Sequence, residues 1–165
     1  MITVNMNNGK FNFRVAGLII DNERLLVHKL KSDDFWALPG GRVEFMENTE
    51  DSIIREMKEE LNIVVKVERL LWIGEQFFTL YDERFHEICY YYLLVTDDAN
   101  LKKDKDVFEI IEDGRIFEFK WMTSSELNDE VFYPVIIKDK INNLPVNIEK
   151  FVDVDDVVYS EWHRK

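Results

Sequence analysis

Apolar residues recur with two different periods along the chain, and the alternation between them predicts a mixed α/β fold. Residues 11–20 (FNFRVAGLII) and 24–30 (RLLVHKL) are rich in apolar and β-branched side chains and flank Asp21-Asn22-Glu23, the pattern of a β-hairpin. Trp36-Ala37-Leu38 then runs into Pro39-Gly40-Gly41. Proline biases Leu38 toward an extended backbone, and the paired glycines allow a sharp turn and a close approach of main chain to a ligand. Next the period lengthens: Ile53, Ile54, Met57 and Leu61 form an apolar stripe at helical spacing behind Thr49, a suitable N-cap, so a helix is expected over about residues 50–61. It must stop at Asn62, through a left-handed residue, where glycine is best and asparagine second.

Residues 63–81 and 87–96 read as long strands broken at Asp82-Glu83-Arg84, and residues 115–122 as another. The longest apolar run, 88–95, is a buried-strand candidate and falls well short of the roughly 18–20 residues that a membrane helix needs. Residues 97–106 are a charged loop. Pro134 suits the first turn of a helix that carries Ile137, Ile141 and Leu144 toward the core. The tail, 150–165, holds Asp153, Asp155 and Asp156 without the glycine and closing glutamate of an EF-hand loop, and reads as a solvated acidic segment.

Composition narrows the class. A chain of 165 residues with 46% hydrophobic content supports one buried core, and six Gly with three Pro leave little room for long linkers, so a single domain over 1–165 is expected. The amino-terminal residues 1–10 are polar and lack the apolar stretch of a signal peptide, and a lone Cys89 excludes an intrachain disulfide, so a cytoplasmic location is expected. The balance of 21 basic against 33 acidic residues gives −12, which argues against a general DNA- or RNA-binding surface, and with so short an apolar run no membrane partner is expected. A homodimer stays open.

The chemistry concentrates in residues 41–63. Gly41 is followed after five residues by Glu47, after seven more by Arg55-Glu56, and then by Glu59-Glu60 and Asn62-Ile63. On a helix, Glu56, Glu59 and Glu60 stand at i, i+3 and i+4 and share one face, about 5–6 Å apart. Three like charges that close call for a cation, and carboxylate oxygens suit Mg2+ or Mn2+ better than Zn2+. The bland reading, an exposed acidic helix face softened by Arg55 and Lys58, leaves the repulsion and the glycine turn unexplained.

These residues resemble the signature of the Nudix hydrolases, G-x5-E-x7-R-E-U-x-E-E-x-G-U with U aliphatic, at every position but one: Asn62 stands where the family has its last glycine. The resemblance implies a Nudix-type α/β/α sandwich with a mixed β-sheet. It implies a metal shell of Glu56, Glu59, Glu60 and the Gly40 carbonyl, with Arg55 and Glu47 bracing the loop against the helix. The reaction implied is Mg2+-dependent (or Mn2+-dependent) hydrolysis of the diphosphate bond in a nucleoside diphosphate linked to another moiety, by water attack on phosphorus. Modified nucleoside triphosphates, nucleotide sugars, ADP-ribose and dinucleoside polyphosphates all suit the same motif. The general base is sought among Glu56, Glu59 and a carboxylate beyond the motif, with Glu112 and Glu118 as equal candidates. An acidic chain needs local cations for such a substrate; Arg14, Lys29, Arg42 and Arg84 are at hand. Arg14 and Arg42 are the expected contacts, Arg14 because it resembles a strand arginine that many Nudix enzymes place near the substrate. Glu44 reads as an exposed strand residue, and His28, His86, His163 and Cys89 as structural. Among Phe35, Trp36, Phe77, Phe78, Tyr81 and Phe85, at most one or two are expected to face a ligand. The competing readings are a Nudix-like module that senses a nucleotide without turnover and an isomerase on the same fold, for which no further catalytic residues are identifiable.

Overall fold

The computed structural model describes residues 1–155. Its elements in chain order are β1 (Thr3–Met6), β2 (Gly9–Asp21), β3 (Arg24–Leu30), β4 (Gly40–Arg42), α1 (Thr49–Leu61), β5 (Lys66–Leu80), β6 (Glu83–Val95), β7 (Val107–Glu112), β8 (Arg115–Thr123), α2 (Ser124–Asp129), α3 (Val135–Lys140) and β9 (Glu149–Val154). The strands join in one sheet of order β7-β8-β3-β2-β6-β5-β9, with β1 and β4 also paired to β2. The β2–β6 and β5–β9 ladders are parallel and the others antiparallel, so the sheet is mixed.

Alternation along the strands separates two cores. Val15, Ile19, Leu26, Tyr92, Leu94 and Trp121 face α1, whose Ile53, Met57 and Leu61 are buried against them. Ala16, Leu18, Leu25, Val27, Tyr91 and Met122 face the opposite side, closed by Leu127 of α2 and Ile137 of α3. The result is the expected helix–sheet–helix sandwich. Among the described residues, no helix is long and apolar enough to cross a membrane.

Two-residue turns with both backbones left-handed set the hairpins, at Asn22-Glu23, Tyr81-Asp82 and Asp113-Gly114. The first lies where the pattern puts it. The second corrects the expected break at 82–84: the turn uses only two residues, and Glu83 and Arg84 pair into β6 with Leu80 and Thr79. The third exposes an unread strand, β7, despite the Asp-Gly signal. The acidic tail is corrected too: Glu149–Val154 is a strand, with Phe151 buried, because β5 offers it a free edge. Asp156 and the rest of 156–165 lie outside the described residues.

Asn48, and not Thr49, caps α1. Its side chain accepts a hydrogen bond from the Asp51 N–H at 2.9 Å, while the Thr49 hydroxyl pairs with Tyr92 at 2.6 Å. Ile54 turns outward at 37% exposure, so the buried stripe is Ile53, Met57 and Leu61. At the other end Asn62 takes φ 53° and ψ 36°, and its N–H bonds the Lys58 carbonyl at 3.1 Å, the left-handed stop expected. Pro134 caps α3 from outside the first turn, and the helix ends at Lys140; Ile141 and Leu144 still pack on the same core.

Candidate active site

One long edge of β2 is divided among three partners, and the site lies where they meet. β1 takes residues 9–12, β4 takes 14–16, and β3 joins only at Ile20 and Asp21. The short β4 therefore begins with Gly40 and Gly41 directly against α1; the paired glycines, expected as a sharp turn, are strand residues opposite Ala16 and Val15. Gly41 has no side chain for a reason: a Cβ there would meet the Glu56 carboxyl group closer than 3.0 Å.

Arg55 organises the carboxylates. Its Nε and one terminal nitrogen donate to the two oxygens of Glu47 at 2.8 and 2.9 Å, a bidentate pair. Its other terminal nitrogen donates to Glu56 at 2.9 Å and to Glu59 at 3.0 Å, and a further bond at 3.2 Å reaches the Arg42 carbonyl. Glu47 also accepts the Glu44 N–H at 3.0 Å, which closes the loop between β4 and α1. The Arg55 hydrogen bond pulls the Glu47 carboxyl down to about 2. Glu44 itself is half-buried beyond the end of β4 and not an exposed strand residue.

The three glutamates of α1 grade from core to solvent. At 100° per residue Glu60 falls beside Ile53 and Met57, Glu56 next to it, and Glu59 outermost. Glu60 is 9% exposed and accepts the Gly40 N–H at 3.1 Å, whereas the Glu59 side chain is 52% exposed. Burial raises the Glu60 carboxyl well above its ordinary range, with the charges of Glu56 and Glu112 adding to it. Burial likewise raises Glu56, against the pull of Arg55. The expected metal shell is thus brought to one place but not closed. Among the described residues no three acidic, His or Cys side chains converge on a common point, because two carboxylates turn onto Arg55 and the third onto Gly40. The donor set still fits a hard cation: all oxygen, one carboxylate buried with a single backbone donor, and a glycine cradle that a Cβ would fill.

Arg14 and Arg42 are cross-strand neighbours in the β2–β4 ladder. Arg14 donates to the Gly40 carbonyl, the expected metal ligand, at 3.3 Å, and Arg42 donates to Thr3 at 2.9 Å. Lys29 lies over the Trp36 ring instead. The two outer carboxylates differ in their neighbours: the charge of Glu112 reaches Glu60, while Glu118, in the middle of β8 opposite Glu109 and Lys29, acts on Lys31. His28 is buried against Phe117 and Phe119, and burial drives it down to about 3, so it stays neutral. The aromatics mostly pair with one another, Phe78 on Phe85 and Phe77 on His86. No local sequence signal marks Glu87, a buried carboxylate that faces Arg14 from β6 at 3.9 Å.

Comparison with known proteins places this geometry. A family model described as the NUDIX domain matches residues 11–139. An ADP-ribose pyrophosphatase of Methanocaldococcus jannaschii is 36% identical over 98 residues, 58% of this chain and 57% of that protein. Diphosphoinositol polyphosphate phosphohydrolase 3-alpha of Mus musculus is 34% identical over 111 residues, 61% of this chain and 65% of that protein. The chain thus spans between half and two thirds of these relatives' length. Among solved structures, a MutT NUDIX hydrolase from Burkholderia pseudomallei aligns with a TM-score of 0.56 at 20% identity, covering 82% of this chain and 98% of that one. An ADP-ribose pyrophosphatase from Streptococcus suis aligns at 0.53 and 12% identity over 87% of this chain and 98% of that one, a likeness of fold. With the family model spanning residues 11–139 and the paired glycines, bracing arginine and helix glutamates all present, the chain belongs to the Nudix hydrolase family.

Proposed function

We propose that this chain hydrolyses the diphosphate bond of a nucleoside diphosphate linked to another moiety, with Mg2+ or Mn2+ as cofactor and water attacking phosphorus. The observation that carries this is the stack of Glu56, Glu59 and Glu60 on α1, set against Gly40–Gly41 and braced through Arg55 to Glu47. When bound at these carboxylates and the Gly40 carbonyl, the metal supplies charge neutralisation in the transition state and a lowered pKa for the attacking water. The Glu47–Arg55 clamp holds Glu56 and Glu59 beside the Gly40–Gly41 strand, from where they would turn from Arg55 to a bound cation. Gly40 holds Glu60 through its N–H. Arg14 and Arg42, adjacent on the neighbouring strands, offer donors to phosphate oxygens. Glu112 is the better general base from beyond the motif, because β7 packs on α1 and brings the Glu112 charge within reach of Glu60.

The two curated relatives are named for different substrates, and charge favours one class over the other. A diphosphoinositol polyphosphate carries many phosphates and needs a broad basic surface. This chain has a net charge of −12, and the cations placed beside Gly40 and Gly41 are the two arginines Arg14 and Arg42. A nucleoside diphosphate derivative of the ADP-ribose or nucleotide-sugar type fits two arginines better.

A panel of nucleoside diphosphate derivatives and one diphosphoinositol polyphosphate, assayed with magnesium in 18O-labelled water, tests the reading. The label is expected in a phosphate-containing product, since attack is on phosphorus. Glu59→Gln and Glu60→Gln should each fold and lose turnover by orders of magnitude, while Lys58→Gln, exposed on the same helix, keeps it. Label only in a sugar hydroxyl, or full activity in both glutamine variants, overturns it. Tight nucleotide binding without turnover would favour the sensing module.

A further inference from the structure

Glu87 stands on β6, outside the motif, opposite Asn12 of β2 and Gln76 of β5 in the two ladders. It is 5% exposed, and its two oxygens accept from neutral amides: Asn12 at 3.5 Å and Gln76 at 3.3 Å. The nearest cation is Arg14, whose terminal nitrogen lies 3.9 Å from Glu87. A pair built for stability would close to a charge-assisted hydrogen bond of about 2.7–2.9 Å. This one stands off.

The guanidinium is correspondingly under-used. Of its five N–H donors, one reaches the Gly40 carbonyl at 3.3 Å, and the buried Nε has no hydrogen-bond partner. Gly40 in turn gives its N–H to Glu60. Glu87, Arg14, Gly40 and Glu60 therefore form a line from the sheet to the helix carboxylates, with Arg14 as the cation between two buried acids. Burial raises the Glu87 carboxyl despite Arg14, so the charged form is held at some cost to the fold.

We propose that Glu87 is a positioning residue: its carboxylate orients Arg14 across the cleft beside Gly40, keeping the remaining guanidinium donors directed at the diphosphate of the substrate. It acts through Arg14 and touches no substrate itself. This rests on the diphosphate-hydrolase reading, and it separates function from stability. Gln is nearly isosteric with Glu: its amide oxygen accepts from one of Asn12 and Gln76, and its NH2 donates to the other once that amide flips to present its oxygen. Glu87→Gln should therefore leave the melting temperature unchanged or raised, while KM for the cleaved substrate rises about tenfold, the loss of one charge-assisted contact. The kcat should change far less. Arg14→Gln should raise KM by a similar factor, and the double variant Glu87→Gln/Arg14→Gln should be no worse than Arg14→Gln alone.

A lowered melting temperature with unchanged KM in Glu87→Gln means a structural role and overturns the inference, as does full additivity in the double variant. If the wild type cleaves nothing in the panel, the hydrolase reading has failed on its own, and ADP binding measured by calorimetry decides this one. Equal weakening in Glu87→Gln and Arg14→Gln supports it; unchanged binding in Glu87→Gln, or no ADP binding by the wild type, overturns it.

Discussion

Gly41→Ala isolates the contact between the paired glycines and α1. Gly41 has no left-handed backbone to protect, so alanine meets no conformational penalty there, and the whole effect comes from the added methyl. That methyl would sit closer than 3.0 Å to the Glu56 carboxyl carbon and both its oxygens. Relaxed carbon contacts lie at about 3.5–4.0 Å. The carboxylate must retreat by about 1 Å, and the only flexible partner is the Glu56 side chain itself.

A retreat that Arg55 does not follow breaks its 2.9 Å bond to Glu56, which sets the upper bound of the cost. Losing one charge-assisted bond costs about 1.5–3 kcal/mol, offset by about 0.4–1 kcal/mol because alanine restricts the unfolded chain more than glycine does. A net loss of about 1–2 kcal/mol in urea denaturation is expected, small enough for the variant to fold. Catalysis should suffer more, because a ligand displaced by about 1 Å costs on the order of a hundredfold in rate. Combining Gly41→Ala with Glu56→Ala supplies the control: with the carboxylate gone the methyl has room, and the second substitution should add nothing. Full additivity of the two, or wild-type turnover in Gly41→Ala, would refute the claim that Gly41 acts by making space for Glu56.

Asn62→Gly should raise stability by up to about 1 kcal/mol in chemical denaturation, since Asn62 holds φ 53°; destabilisation would mean that the asparagine side chain has its own role. Glu47 has its folded pKa pulled to about 2 from 4.5, so the stability it contributes is present above pH 4.5 and lost as pH falls toward 2. The loss should be about 3 kcal/mol at most, and Glu47→Gln should flatten that acid limb; an unchanged limb would count against the clamp. Glu60 has the opposite sign: its raised folded pKa makes its contribution complete below the unfolded value and lost as pH rises, so without metal at pH 7 Glu60→Gln should melt higher than wild type. Magnesium at a hundred times its dissociation constant should add about 2.7 kcal/mol to wild type and little to the variant, inverting the order of melting temperatures.

The helix of the site could be read from local chemistry because its signals are local. The spacing of Ile53, Met57 and Leu61, the stop at Asn62 and the face shared by the glutamates all follow from one 13-residue segment. The cap was misplaced by one residue because Asn48 and Thr49 are both good caps, and only the Tyr92 hydroxyl from β6 draws Thr49 away. β9 was missed because its sequence, EKFVDV, carries one buried apolar residue, Phe151; what makes it a strand is the open edge of β5, some seventy residues earlier. A parallel edge strand borrows its hydrogen bonds from a distant partner and need not advertise itself in composition.

The same distinction runs through the site. Glu47, Arg55, Glu56, Glu59 and Glu60 lie close in sequence, and the bonds among them are those the spacing suggests. Arg14, Glu87 and Glu112 come from β2, β6 and β7: Arg14 reaches the site through Gly40, which β4 holds against the edge of β2, Glu87 reaches it through Arg14, and Glu112 through the packing of β7 on α1. Nothing near Glu87 in sequence distinguishes it from the many other acids of this chain. What distinguishes it is a register: Asn12 opposite Glu87 puts its carboxylate diagonal to Arg14, and a slip of one residue would turn it to the other face of the sheet. The half of the site proposed to hold the metal is therefore a property of the motif, and the half proposed to meet the substrate is a property of strand pairing. Changes in the β2–β6 register should alter substrate affinity while leaving the helix carboxylates and their brace intact.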